Sequence, residues 1–422
     1  MTDTIYAVSS GSPPAAIAVI RISGPNADGA VEALAGTPPP PRRASLRTLR
    51  RGDEVLDTAL ILRFPGPNTA TGEDIAELHV HGGRAVVAAV LAALGDLDGL
   101  RAAEPGEFTQ RAFRSGRLDL AEAEGLADLL SAETQAQRRA ALTLARGALS
   151  RQIDQWQSAL LALSAALEAA LDFADEGDVG EALPPAWHER SAALADEIAI
   201  VIARPPAERL RDGIRVVIAG PPNAGKSSLL NALVGREAAI TSSIPGTTRD
   251  LVEAPAQIGG TAFLLTDTAG LRESGDPIEA IGVGRALDAV AAADIVLWLG
   301  AAEELPPTAL LIRAKADLFG SDPDAEVSVS AATGEGMSTL VNLLIERSRA
   351  LLPGENEVAI NARHRAVLAE AEASLREALT AFDLVIAAEA MRRARHALDR
   401  VTGRSGVEDM LDALFGRFCI GK

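Results

Sequence analysis

The run Gly220-Pro-Pro-Asn-Ala-Gly-Lys-Ser227 has the spacing of a phosphate-binding loop: two glycines, a lysine and a hydroxyl in the order G-x-x-x-x-G-K-[ST]. In that arrangement backbone N–H groups of Asn223, Ala224 and Gly225 surround a β-phosphate. Lys226 reaches the β and γ oxygens, and the Ser227 hydroxyl meets Mg²⁺. The loop must be held between a strand and a helix. The apolar run 215–219 reads as a buried parallel strand, and 228–234 has helical apolar spacing closed by Gly235. A Gly-rich turn without nucleotide would not need that context.

Two further signals follow in the order a GTPase requires. Gly246-Thr-Thr248 lies in a polar segment, where Thr248 can offer a hydroxyl to Mg²⁺ and an N–H to a γ-phosphate. Residues 263–267 read as a strand ending in Asp267, followed by Thr268, Ala269 and Gly270. Asp267 is then placed to reach Mg²⁺ through water, and Gly270 to bring its N–H toward the γ-phosphate. The base-recognition pattern N-K-x-D appears as Ala314-Lys315-Ala316-Asp317, after the apolar run 309–312. Asp317 can accept from the N1 and N2 hydrogens of guanine, and Lys315 can lie over the base. The bracing Asn is missing, so guanine preference is expected while affinity stays open. Ser330, Ala331 and Ala332 would supply the backbone contact to guanine O6.

Leu271 follows Asp-Thr-Ala-Gly, and leucine cannot orient a water. Hydrolysis therefore needs another water-positioning group and another positive charge. Glu279, Glu273 and Asp276 share the polar segment 272–281, and spacing does not choose among them.

The rest of the chain must frame this unit. At 422 residues, two or three domains with sizeable cores are expected. One cysteine excludes an internal disulfide framework. The longest apolar run, 85–94, falls far short of a membrane span, and the start has neither a basic n-region nor transit character, so a cytoplasmic protein without membrane association is expected. A net charge of −18 argues against a general nucleic-acid binder, so any RNA contact is local or delegated to a partner. The clusters Arg42, Arg43, Arg47, Arg50, Arg51 and Arg392, Arg393, Arg395 read as solubilising surface.

Residues 1–117 read as α/β, with strands at 4–8, 16–22, 58–64 and 75–80 and a helix at 84–94. His79 and His81 share a strand face, which suggests a metal pair, but no third ligand is evident and hydrogen-bonding roles are favoured. Residues 118–211 are Ala/Leu-rich and helical, with breaks at Pro184-Pro185 and Pro205-Pro206, and a similar pattern runs from 362 to 418, broken at Gly403 and Gly406. The economical reading is a helical domain in two parts, 118–211 and 354–422, with a Ras-like α/β domain at 212–353 inserted between them. The fold class is therefore multidomain α/β plus α.

The stretches Gly220–Ser228, Gly235–Ile240, Gly246–Asp250 and Asp267–Arg272 resemble the MnmE (TrmE) family of tRNA-modification GTPases, within the TrmE-Era-EngA-like group. So do Phe64–Asn68, Thr71–Asp74, His81–Gly83, Pro105–Phe108, Leu118–Leu120 and the terminal Phe418-Cys-Ile-Gly-Lys422. The resemblance implies a K⁺-activated G domain that dimerises across its nucleotide face. It assigns K⁺ to Asn223 and the loop 242–248, through Ser242, Ile244 and Thr247. The whole loop, with Ser243, Pro245 and Gly246, would lie along the GTP together with Ser228. It places the water-positioning carboxylate at Glu279. It assigns residues 1–117 to constitutive dimerisation and to tetrahydrofolate binding, as the 5,10-methylene or 5-formyl form, through Arg21, Glu77, Arg117 and Lys422. Cys419 is a candidate functional thiol. The implied activity is GTP hydrolysis coupled to an aminomethyl-type (carboxymethylaminomethyl) modification at C5 of the wobble uridine (U34) of certain tRNAs. It is carried out in a heterotetramer with an MnmG-like flavoprotein that holds the FAD, since this chain lacks a G-x-G-x-x-G fingerprint. The competing class is a ribosome-assembly GTPase of the Era/EngA type. Such proteins share the phosphate loop but carry RNA-binding domains and lack the Cys-Ile-Gly-Lys tail.

Overall fold

The computed structural model describes residues 3–173, 183, 185–236, 253–268, 288–307, 309–354, 357–405, 414–416, 418 and 420–421. They fall into two compact units, Met1–Ala127 with Asp399–Lys422, and Asp128–Leu398.

The first unit is built on β1 (Thr4–Val8), β2 (Ile17–Ser23), β3 (Ser45–Arg51), β4 (Glu54–Phe64), β5 (Ile75–His81) and β6 (Leu100–Ala102). The sheet order is β3-β4-β5-β2-β1-β6, antiparallel throughout except where β6 runs parallel to β1. Alternation along each strand sorts its two faces. Ile20, Ile22, Ile61, Leu78 and Val80 face α1 (Ala27–Ala35) and α2 (Arg84–Gly95) in one core. On the other face Ile5 and Ala7 pack with Phe108 of α3 (Glu107–Arg114). The first Arg cluster marks an edge: β3 carries Arg47, Arg50 and Arg51 at the rim of the sheet, where charge discourages pairing with another chain. Neither β3 nor α1 was expected, because the arginines mask the strand pattern and α1 is a short Ala-rich helix.

α4 (Leu120–Ser131) starts in this unit, where Ala123 packs with Phe415 and Phe418. The chain's end is seated here as well. Ile420 bridges to Pro105, and the Ser9 hydroxyl donates to the Gly421 carbonyl at 2.8 Å.

The second unit contains the helical stretch α5 (Gln135–Ala145), α6 (Ala148–Phe173), α7 (Pro185–Ile202) and α8 (Ala207–Arg211). Pro185 occupies the first position of α7, where its missing N–H has no helical acceptor to lose. After α8 the chain enters β7 (Ile214–Ala219), α9 (Lys226–Arg236), β8 (Glu253–Ile258), β9 (Thr261–Asp267), β10 (Ile295–Trp298) and β11 (Ala309–Arg313). It continues through α10 (Ala316–Phe319), β12 (Val327–Ser328) and α11 (Met337–Leu351). The sheet order is β12-β11-β10-β7-β9-β8, parallel except for β8 against β9. β7 is central and apolar on both faces: Val216 and Ile218 pack with Leu229 of α9 and Leu340 of α11, while Val217 and Ala219 pack with Val296. The order reverses at β7, so the crevice for a ligand opens at its carboxyl end.

α12 (Ala362–Thr380) and α13 (Leu384–Thr402) follow, and α12 packs along α7. The chain leaves and re-enters the helical part at one place: Ala207 N donates to the Ile360 carbonyl at 3.0 Å, and Ala362 N to Glu208 Oε1 at 2.7 Å. The helical pattern expected over 362–418 has a further interruption at 381–383, where Asp383 accepts from Val385 N at 2.6 Å and starts α13, and α13 ends at Thr402, just before the expected break at Gly403. No helix among the described residues is long and apolar enough to cross a membrane.

Candidate functional site

The phosphate loop sits at the carboxyl end of β7, and its glycines answer to the backbone. Gly220 has φ +145°, and a Cβ there would stand 3.0 Å from the Leu299 carbonyl carbon. Gly225 has φ +101°, and Asn223 itself is left-handed at φ 61°. These turns start α9 beneath the loop, so its first N–H groups and positive dipole end face the crevice.

Lys226 is buried, and its ammonium curls back over the loop, donating to the Gly220 and Pro221 carbonyls at 3.0 and 2.8 Å. The Ser227 hydroxyl donates to the Asp267 carboxylate. Parallel register sets Ile218 of β7 beside Asp267 of β9, which brings the first turn of α9 and the end of β9 together. Two hard oxygen donors at a helix N-terminus suit Mg²⁺. The Thr268 hydroxyl is turned inward to the Ile218 carbonyl at 3.0 Å.

A cavity of about 550 Å³ adjoins the loop, lined by Asn223, Ala224, Ala314, Lys315 and Phe319 among others. The Lys315 ammonium donates to the Asn223 carbonyl at 2.7 Å, so its stem runs along the loop. Asp317 lies exposed on α10 and is not among the lining residues. Ser330 is buried and closes its own turn: its N–H donates to the Glu335 carbonyl at 3.0 Å, and its Oγ accepts from Thr333 N at 3.1 Å. Of the residues expected at O6, Ala331 and Ala332 follow on that turn and are more exposed than Ser330. Ser242, Ser243, Ile244, Pro245, Gly246, Thr247, Thr248, Ala269, Gly270, Leu271, Glu279, Cys419 and Lys422, all expected at these sites, lie outside the described residues.

In the first unit, Arg21 and Glu77 are direct cross-strand partners on β2 and β5. The guanidinium donates to Glu77 Oε1 at 3.1 and 2.9 Å and lies 5.9 Å from the Phe108 ring centroid. Arg117 stands on a neighbouring loop, donating to the Thr69 carbonyl at 3.1 Å. His79 Nε2 is 3.4 Å from Glu77 Oε2, and His81 Nδ1 is 2.7 Å from Asp57 Oδ1. Both histidines thus hydrogen-bond to carboxylates. Among the described residues there is no cluster of three metal-ligating side chains.

A charged network beside α3 escaped the sequence reading. Arg111 contacts Asp3, Glu73 and Glu107, and Arg101 contacts Asp3 and Glu107. Burial pushes the Asp3 and Glu107 carboxyls up, but hydrogen bonds from Arg101, with further support from Arg111, outweigh it and hold both below their ordinary values. The Glu107–Arg111 pair is visible as an i, i+4 spacing. Asp3 and Glu73 join only through the fold.

Two family descriptions match the chain: "GTP-binding protein TrmE N-terminus" over residues 4–117 and "MnmE helical domain" over residues 120–419. The tRNA modification GTPase MnmE of Rhizorhabdus wittichii is 59% identical over 427 residues, covering 100% of this chain and 97% of that protein. That of Erythrobacter litoralis is 57% identical over 424 residues, and that of Novosphingobium aromaticivorans 55% identical over 438, each covering 100% of both chains. These similarities extend through the N-terminal unit, the phosphate loop and the C-terminal segment alike. The chain belongs to the MnmE family of tRNA modification GTPases.

Proposed function

We propose that the chain binds GTP with Mg²⁺ at the carboxyl end of β7 and hydrolyses it in a K⁺-dependent way. The turnover serves C5 modification of the wobble uridine of certain tRNAs. The observation that carries this reading is the meeting of the Ser227 hydroxyl with the Asp267 carboxylate directly under the phosphate loop. Nucleotide phosphates would draw the Lys226 ammonium from its loop carbonyls onto the β and γ oxygens. Ser227, with Asp267 behind it and Thr248, would hold Mg²⁺. Asn223, exposed at the crest of the loop, offers an amide oxygen to K⁺ alongside Ser242, Ile244 and Thr247. When bound, that ion supplies the positive charge an arginine finger brings elsewhere. Leu271 leaves the attacking water to Glu279. Lys315 covers the base, and Asp317 would have to approach the cavity to read its Watson–Crick edge.

In the first unit, Arg21, Glu77 and Arg117, joined by Lys422, form the tetrahydrofolate site of this reading. The Glu77 carboxylate suits the pterin donors and the guanidinium groups suit carboxylates of the tail. Bound folate supplies the one-carbon unit. The contacts of Ile420 with Pro105 and Gly421 with Ser9 support a site that draws on both chain ends, with Cys419 in the same segment. The four-part division at 117, 211 and 353, a homodimer, and an FAD-bearing MnmG-like partner complete the proposal.

Two measurements test it. GTP hydrolysis should run faster in K⁺ than in Na⁺ at equal ionic strength; equal rates would remove the K⁺ role. Mass spectrometry of tRNA from cells lacking the protein should show loss of the C5 modification at wobble uridine; an unchanged profile would overturn the tRNA assignment.

A further inference from the structure

The base cavity has one wall that GTP hydrolysis does not explain. Residue 314, at the end of β11, is alanine, and its methyl faces the phosphate loop: a Cβ built on Gly225 would lie 3.6 Å from Ala314 Cβ. The same built atom would lie 3.6 and 3.8 Å from Cε and Cγ of Lys315. The alanine methyl and the lysine stem therefore stand side by side against the loop. The lysine ammonium is engaged by the Asn223 carbonyl. The Arg313 guanidinium is turned onto the Phe319 ring, 5.4 Å from its centroid. Guanine carries donors on its Watson–Crick edge, but N7 is an acceptor and needs a donor opposite it. A methyl has none to give.

We propose that Ala314 sets the nucleotide specificity of this site: the base is read on its Watson–Crick edge only, and N7 goes unread. The site then accepts guanosine nucleotides in which N7 is replaced by C–H. The inference rests on the guanine reading above. In a site that hydrogen-bonds N7, replacing it leaves a desolvated donor unpaired and weakens binding. At Ala314 the methyl has no donor to leave unpaired.

Isothermal titration of the full chain with GDP, 7-deaza-GDP and ADP tests this. GDP and 7-deaza-GDP should bind within about twofold of one another, a difference smaller than one hydrogen bond. Ala314→Asn should tighten GDP by up to about tenfold, the size of one added neutral hydrogen bond, and open a gap between GDP and its 7-deaza form. The inference is overturned if the native chain binds 7-deaza-GDP about tenfold more weakly than GDP. ADP binding as tightly as GDP would instead overturn the guanine reading. The native-chain comparison decides the matter even if the variant fails to fold.

Discussion

The nucleotide site takes Lys226 and Ser227 from the first turn of α9 and Asp267 from the end of the parallel strand β9, whereas Arg21 and Glu77 stand in mid-strand on an antiparallel sheet. In the first site backbone N–H groups and a helix terminus are recognition elements, so an eight-residue run carries most of the geometry. In the second, two side chains 56 positions apart meet because the register of β2 and β5 sets them opposite each other. A slip of one residue would turn both into the α1/α2 core. Loop sites are thus protected by glycines, and strand sites by the packing of the opposite face.

The largest effect should come from the loop. Lys226→Ala is expected to lower GTP turnover about a hundredfold or more, as loss of a charge-stabilising group does, with folate binding untouched. Phosphate release and equilibrium dialysis with 5-formyl-tetrahydrofolate read the two sites separately. A parallel loss of folate binding would break the contrast.

Backbone substitutions should come next. Gly106 has φ +71°, and a Cβ there would lie 2.2 Å from the Phe415 carbonyl; Gly336 has φ +69°, with the Ser328 carbonyl at 2.0 Å. Each change to Ala should destabilise its own unit by about 2–4 kcal/mol. Tyr6, the chain's one tyrosine, reports the first unit, and Trp156, Trp187 and Trp298 report the second. Gly106→Ala should lower the denaturation midpoint seen by tyrosine absorbance, and Gly336→Ala that seen by tryptophan fluorescence.

Glu77→Gln keeps the shape but removes the charge paired with Arg21. Folate binding should weaken about tenfold, the scale of a charge-assisted hydrogen bond, while GTP turnover stays within about twofold. If turnover falls as far as binding, the two sites are not separable in this way.

The smallest effect is in acid. Asp3, Asp57 and Glu107, all in the first unit, are held below their ordinary values. Burial opposes this in each case; the outweighing bonds come from Arg101 for Asp3 and Glu107, and from His81 for Asp57. A lowered folded-state value gives stability that is present above the unfolded-state value, near pH 4, and lost as pH falls through the folded one. On acidification below about pH 4, tyrosine absorbance should therefore change before tryptophan fluorescence. Glu107→Gln should narrow the gap, and coincident transitions would count against the network.

Much of the nucleotide half was legible in the residues. The strand expected at 215–219 is β7, that at 263–267 is the end of β9, and that at 309–312 is β11. These are short apolar runs flanked by turn residues, and a parallel strand buried on both faces leaves that mark. In the N-terminal half, β1 and β5 were also legible, but β3 was hidden by its arginines. Asp317 was placed by pattern at the base, yet α10 leaves it exposed, because a pattern records spacing and not the direction in which a short helix points its side chains.

What the sequence alone determined is local: the strand–glycine–helix run, the acid at the end of the following strand, and the alanine that replaces a polar brace. A contiguous run constrains its own backbone, so its chemistry can be read before folding. Only the tertiary structure decided which distant groups meet. It brought Ser227 to Asp267, Arg21 to Glu77, Asp3 to Arg101 and Arg111, and the chain's end to Pro105 and Ser9. Those contacts depend on strand register and sheet order, which arise from burial of the opposite faces and leave no trace in the spacing of the residues that meet.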